Sequence, residues 1–162
     1  MERILSIDPG TTQSAFVFYD GNHLHSKGIM SNSDVMTIIA RAPSNTIVAI
    51  EMVASYGMPV GKDIFETVVW IGRFLEHSIS MCHKVTRVYR KDVKMHLCYS
   101  MRAKDSNIRQ ALIDKYGKPG TKKEPNEFYN DSEVKMSKDI WSALAILDYI
   151  KSQNIHSIPL EV

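Results

Sequence analysis

The sequence predicts an α/β fold, a five-stranded mixed sheet flanked by helices. Two patterns point there: three strand-like runs follow one another at the start of the chain, and helical and strand-like stretches then alternate to its end. A third narrows the topology. A strand over 45–51 follows a helix, and a strand reached through a helical crossover pairs most naturally in parallel with the first strand.

The first strand is expected at 3–8, closed by Pro9-Gly10-Thr11-Thr12, and the second at 13–20. Asp20-Gly21-Asn22 is a hairpin turn signal leading into a third strand at 23–30. Ser31-Asn32-Ser33-Asp34 offers capping side chains for a helix at about 33–41. After the strand at 45–51, Gly57, Pro59 and Gly61 mark a loop over 52–62. The helix expected at 62–78 carries Ile64, Phe65, Val68, Val69, Trp70, Ile71, Phe74 and Leu75, more apolar surface than one buried stripe needs. That surplus lies in the core or across a subunit interface, a homodimer interface being preferred, so that replacing Val68 and Ile71 with Glu is expected to give a monomer or an insoluble protein. A fifth strand at 84–89, a short helix at 90–97 and a clearer one at 104–116 follow. Residues 117–136, polar and carrying Gly117, Pro119, Gly120 and Pro125, read as a long loop of a functional or mobile kind. The last helix is expected at 138–152, with Asp148 and Lys151 on its polar side and Trp141 in the core; Trp70 is also expected there.

With 162 residues, 44% hydrophobic and 23% charged, the chain suits a single globular domain. No apolar run approaches the ~20 residues that cross a membrane. Met1-Glu2-Arg3-Ile4 passes straight into a strand pattern, so no signal peptide is expected. Cys82 and Cys98 lack zinc-type spacing and suggest no disulfide framework, which fits a reduced, cytoplasmic setting. The net charge of +2 hides an asymmetry. Lys84 to Lys123 holds twelve Lys and Arg against three Asp, a local +9, and the remainder is −7. Cations gathered in one quarter of a chain suit a phosphate backbone.

Two acids stand out. Asp8 ends the run Ile4-Leu5-Ser6-Ile7, and Glu51 ends Thr46-Ile47-Val48-Ala49-Ile50. Carboxylates at the tips of neighbouring buried strands are poorly hydrated and repel one another. A divalent ion held by such oxygens, Mg²⁺ or Mn²⁺, turns that cost into affinity and suits phosphate chemistry. Both could instead merely cap strand ends. Asp139 is a third candidate, in the first turn of the last helix, where the helix dipole favours an acid.

Ile7-Asp8-Pro9-Gly10-Thr11-Thr12, Ile50-Glu51 and Lys138-Asp139-Ile140-Trp141-Ser142-Ala143-Leu144-Ala145 together resemble RuvC-type Holliday junction resolvases of the ribonuclease H-like superfamily. Glu51-Met52-Val53-Ala54-Ser55-Tyr56-Gly57-Met58-Pro59-Val60-Gly61-Lys62 is most similar to the phage branch. The resemblance runs from Asp8 to about Ala145. It implies a metal-dependent crossover junction endodeoxyribonuclease that leaves 5′-phosphate and 3′-hydroxyl ends. Asp8, Glu51 and Asp139 would hold two Mg²⁺ or Mn²⁺ ions. Lys104 would act at the scissile phosphate. Arg90, Lys91, Lys94, Arg102 and Arg109 would position DNA arms, and Tyr56 would stack on an unpaired base or else pack against Met58 or Pro59. A twofold dimer would match the symmetry of a four-way junction. If the chain is phage-encoded, it would act in the host cytoplasm. The chain departs from the pattern at Ser142, where bacterial members generally carry another Asp; Ser142 could bind a metal without supplying charge, and Asp105 or Asp63 could substitute. Three other readings compete: a broader flap or branched-DNA endonuclease, a non-catalytic junction-binding protein, and a sugar-kinase or actin-like ATPase, whose phosphate loop also reads Asp-x-Gly-Thr but which needs two related domains.

Overall fold

A computed structural model describes residues 2–130, 134–153, 156 and 158–160. The elements run β1 (Ile4–Asp8), β2 (Gln13–Tyr19), β3 (Leu24–Ser31), α1 (Asn32–Arg41), β4 (Ile47–Met52), α2 (Lys62–Ser80), β5 (Lys84–Tyr89), α3 (Arg90–Cys98), α4 (Asp105–Tyr116) and α5 (Lys138–Ser152). The five strands form one sheet in the order β3-β2-β1-β4-β5. The first three pair antiparallel, and β4 joins β1 and β5 in parallel. Every strand and helix of the sequence reading is present, within two residues at each boundary.

Strand alternation divides the core. Leu5, Ile7, Val48, Ile50 and Val85 face α1 and α2. Ile4, Ile47, Ala49 and Val88 face α5, with α3 and α4 packed beyond. Helix α5 is buried almost all round, through Ile140, Trp141, Ala143, Leu144, Ala145, Ile146, Leu147 and Ile150. Ala143 lies close to the sheet, where the buried Ser6 hydroxyl donates to its carbonyl at 2.8 Å.

Three expectations need correction. Ile71 is 2% exposed and packs into the α2 core, so Ile71→Glu would attack the fold itself rather than an interface. Asp148 is not on a polar face. It is fully buried, bonded to His96 Nε2 at 2.8 Å, Lys115 Nζ at 2.6 Å and the Tyr116 hydroxyl. These bonds span α3, α4 and α5 and offset the desolvation of a buried charge. The 117–136 segment is not a plain loop. A 3₁₀ turn at Glu127–Tyr129 buries Tyr129 to 1% exposure and stacks Phe128 on Tyr116, with centroids 3.9 Å apart. Asn126 ties it back by donating to the Tyr116 and Lys118 carbonyls. The part of that segment at 131–133 lies outside the described residues. Trp141 is a core residue at 4% exposure, as expected, and Trp70 is partly buried against the α2 core.

Candidate active site

The parallel register brings the two strand-end acids side by side. Ile4 pairs with Ile47, Ser6 with Ala49 and Ile7 with Ile50, so the next step sets Asp8 beside Glu51. By the same alternation, Asp8 follows Ile4 and Ser6, and Glu51 follows Ile47 and Ala49, onto the face covered by α5. The N-terminus of α5 completes the site. Ser137 is the cap residue, its Oγ accepting from the Ile140 amide, which leaves Asp139 free in the first turn rather than spent as the cap.

The loop after β1 is held firmly. A Cβ on Gly10 would lie 2.3 Å from the Gln13 carbonyl oxygen, so only glycine allows this turn. Ser14 Oγ accepts from the Gly10 amide at 3.1 Å and donates to Asn32 Oδ1 at 2.6 Å. Asn32 Nδ2 returns a bond to the Gly10 carbonyl at 3.0 Å. Ser14 and Asn32 thus fix the backbone that follows Asp8. The sequence carried no signal of this, because the two residues meet only when β2 and β3 pair.

The electrostatics call for a cation. Burial, the neighbouring Glu51 and Asp139 charges, and a smaller effect of Asp105 push the Asp8 carboxyl up to about 7, against the Arg90 charge. Glu51 is also raised, mainly by burial, although Arg90 and Lys94 oppose the shift. Glu51 Oε2 is buried with no hydrogen-bond partner. A buried carboxylate oxygen without a hydrogen bond is costly. Hard oxygen donors with this deficit fit Mg²⁺ or Mn²⁺. Among the described residues, no three His, Cys, Asp or Glu side chains stand close enough together to bind one ion as they lie. The donor set fits an ion, while the side chains themselves lie apart.

Arg90 stands among them. It follows β5 directly as the first residue of α3. Its Nη1 lies 3.7 Å from Glu51 Oε2 and donates to Ser142 Oγ at 3.2 Å, and its Nη2 is bonded to Asp105. Asp105 begins α4 and also meets Lys138 Nζ at 3.6 Å. Burial would raise the Asp105 carboxyl, but the Arg90 bond and charge hold it below the usual range. Of the two suggested substitute acids, Asp105 reaches the site and influences both Asp8 and Glu51. Asp63 is exposed in the first turn of α2 and influences neither.

Two clefts flank the start of α5. One, of about 340 Å³, is lined by Asp8, the Pro9–Gln13 loop and Asp139. The other, of about 520 Å³, is lined by Arg90, Asp105, Arg109, Lys138, Trp141 and Ser142. Arg109 lies over the Trp141 ring, 5.4 Å from its centroid. Lys91, Arg102, Lys104 and Arg109 are exposed, and Lys94 is partly buried. Lys104 immediately precedes Asp105 as the cap residue of α4. Lys115, although part of the basic run, is engaged with Asp148. Tyr56 is 61% exposed in a turn closed by the Met58 amide on the Ser55 carbonyl, so neighbours do not bury it. Lys138 was not among the sequence candidates. Its proximity to Asp105 depends on α4 packing against α5.

No family model matches the sequence, and no curated protein does. The fold does match solved structures. A Thermus thermophilus RuvC structure superposes with a TM-score of 0.67 at 14% identity, covering 98% of this chain and 99% of that one. T. thermophilus RuvC in complex with a Holliday junction substrate superposes with a TM-score of 0.63 at 13% identity, covering 89% of each chain. At these identities the likeness is one of fold: a RuvC-like, ribonuclease H-like mixed sheet with flanking helices.

Proposed function

We propose that this RuvC-like chain is a divalent-metal-dependent endodeoxyribonuclease that cuts branched DNA, four-way junctions foremost. The observation that carries the reading is the placement of Asp8 beside Glu51 at the ends of the inner strands β1 and β4, one step past the paired Ile7 and Ile50, with a buried Glu51 oxygen that has no hydrogen bond. The solved RuvC complex with a Holliday junction supports the choice of substrate. Asp8, Glu51 and Asp139 would hold the metal, with Ser142 as a further neutral donor. When bound, the ion would activate a water and stabilise the leaving 3′-oxygen, giving 5′-phosphate products. Arg90, Lys91, Lys94, Arg102, Lys104 and Arg109 would hold phosphates, with Lys104 nearest the scissile one. Such contacts position DNA without reading its sequence. Tyr56 would stack on a base at the branch.

The test is cleavage of a synthetic four-way junction, a flap and a linear duplex in Mg²⁺, Mn²⁺ or EDTA. Metal-dependent, symmetric nicks in the junction are expected. Equal cleavage of the flap would broaden the activity. Binding in every buffer without cleavage would instead establish a junction-binding protein, the reading that Ser142 favours.

Two symmetric cuts call for a twofold dimer. Helix α2 offers the surface: Ile64, Phe65, Val68 and Val69 are 37%, 61%, 37% and 58% exposed, while Ile71 and Phe74 point into the core. Phe65 and Val69 are one helical turn apart and share a face. The double variant Phe65→Glu/Val69→Glu is expected to be a folded monomer by light scattering. A stable dimer from that variant would rule this surface out.

A further inference from the structure

We infer that Arg90 is the second cation of this site, so that one divalent ion serves where two were expected; the inference rests on the nuclease reading above. The guanidinium lies between the Glu51 carboxylate on β4 and the Ser142 hydroxyl on α5, with Asp105 bonded behind it. Ser142 is the position where the resemblance leads one to expect a carboxylate. A hydroxyl there removes a negative charge, and Arg90 adds a positive one at the same point. Both changes weaken the attraction for a further dication, since like charges in a poorly hydrated site repel strongly.

The charges close on one ion. Asp8, Glu51, Asp105 and Asp139 are four acids. Arg90, and Lys138 at 3.6 Å from Asp105, are two cations. With Lys94, whose charge also acts on Glu51, the set keeps a net −1, so one dication already neutralises it and a second would leave it strongly positive. An ion pair made only for stability would be complete with Arg90 and Asp105. Arg90 instead reaches Glu51 and Ser142 as well, its Nη1 lying 3.7 Å from a buried Glu51 Oε2 that has no hydrogen bond. A planar guanidinium, always charged, also has the fork geometry that fits phosphate oxygens. Asp105 holds that fork through its bond to Nη2, which makes it a positioning residue.

The test counts ions directly, by titrating Mn²⁺ into the DNA-free protein and reading bound ions per protomer by calorimetry and electron paramagnetic resonance. One ion is expected for the wild type and for Arg90→Ala, and two for the double variant Arg90→Ala/Ser142→Asp. Two ions on the wild type would overturn the inference and leave the nuclease reading standing. No bound ion, together with no junction cleavage in any metal, would overturn the nuclease reading itself. Arg90→Ala is expected to cut junctions about 100-fold more slowly while keeping its single ion. Arg90→Lys, which keeps the charge but not the fork, is expected to recover at least about tenfold of that loss. Wild-type cleavage by a folded Arg90→Ala would also overturn the inference.

Discussion

Replacing Asp8 with Asn is expected to reduce junction cleavage by at least about 10³-fold and, in the absence of metal, to stabilise the protein at pH 8. The two effects have one origin. Burial and the Glu51 and Asp139 charges raise the folded-state pKa of Asp8 from 3.8 to about 7. A raised carboxyl favours the folded state while it is protonated. That contribution is fully present below pH 3.8, falls as pH rises, and is gone once pH passes about 7. Above that point the ionised group opposes folding. At about 1.4 kcal/mol per pKa unit, the penalty at pH 8 is on the order of 4 kcal/mol as an upper figure. Asparagine never ionises and escapes it. Metal-free Asp8→Asn should therefore unfold at higher urea than the wild type at pH 8, and at nearly the same urea near pH 4. Mg²⁺ should reverse the order, because an ion that binds only the folded wild type stabilises it by mass action. Parallel stability profiles for the two proteins would show that Asp8 is not strained. Full cleavage by the variant would remove Asp8 from the chemistry.

The second large effect is at a distance from the acids. Asp148→Ala is expected to cost about 3–5 kcal/mol, because it leaves Lys115, Tyr116 and His96 around a missing charge. For a domain of this size that lowers the melting temperature by roughly 10 °C. Burial alone would raise the Asp148 carboxyl, but the bonds from Lys115, Tyr116 and His96 outweigh it and hold the pKa below the usual value. Its contribution is therefore present at neutral pH and is lost as pH falls below 3.8 through the depressed folded-state pKa. Thermal melts from pH 7 down to pH 2 should show the gap between wild type and variant closing. The same bonds tie together α3 and α4, which carry Arg90, Lys94 and Arg109, and α5, which carries Asp139. Even folded Asp148→Ala should consequently bind junctions more weakly. An unchanged melting temperature would mean that the three helices are held by apolar packing alone.

The fold was legible because its signals are local. The apolar runs of β1 and β4, the Asp20-Gly21-Asn22 turn and the Ser31 cap each act over a few residues, and each stands where expected. The acids Asp8, Glu51 and Asp139 stand out as candidates for a related reason, since a charge directly after a buried strand or at a helix start is chemically conspicuous. Asp148 was misread because its spacing on α5 suits a solvent face. Only the approach of His96, Lys115 and Tyr116 makes burial tolerable there, and none of the three is nearby in sequence. Ile71 was misread because an excess of apolar residues on α2 does not reveal which stripe the sheet takes. The 127–129 turn was hidden by the polar, glycine-rich stretch around it, although Phe128 and Tyr129 anchor it.

By itself, then, the sequence determined the elements and the sheet's mixed topology, and it singled out three acids as candidates, because these depend on periodicity and on neighbours along the chain. Tertiary structure decided the rest. Strand register set Asp8 beside Glu51, α4 packed on α5 to bring Asp105 and Lys138 together, and the end of β5 delivered Arg90 into the gap at Ser142. Those relations join residues many positions apart, and side-chain charge acts through space rather than along the chain.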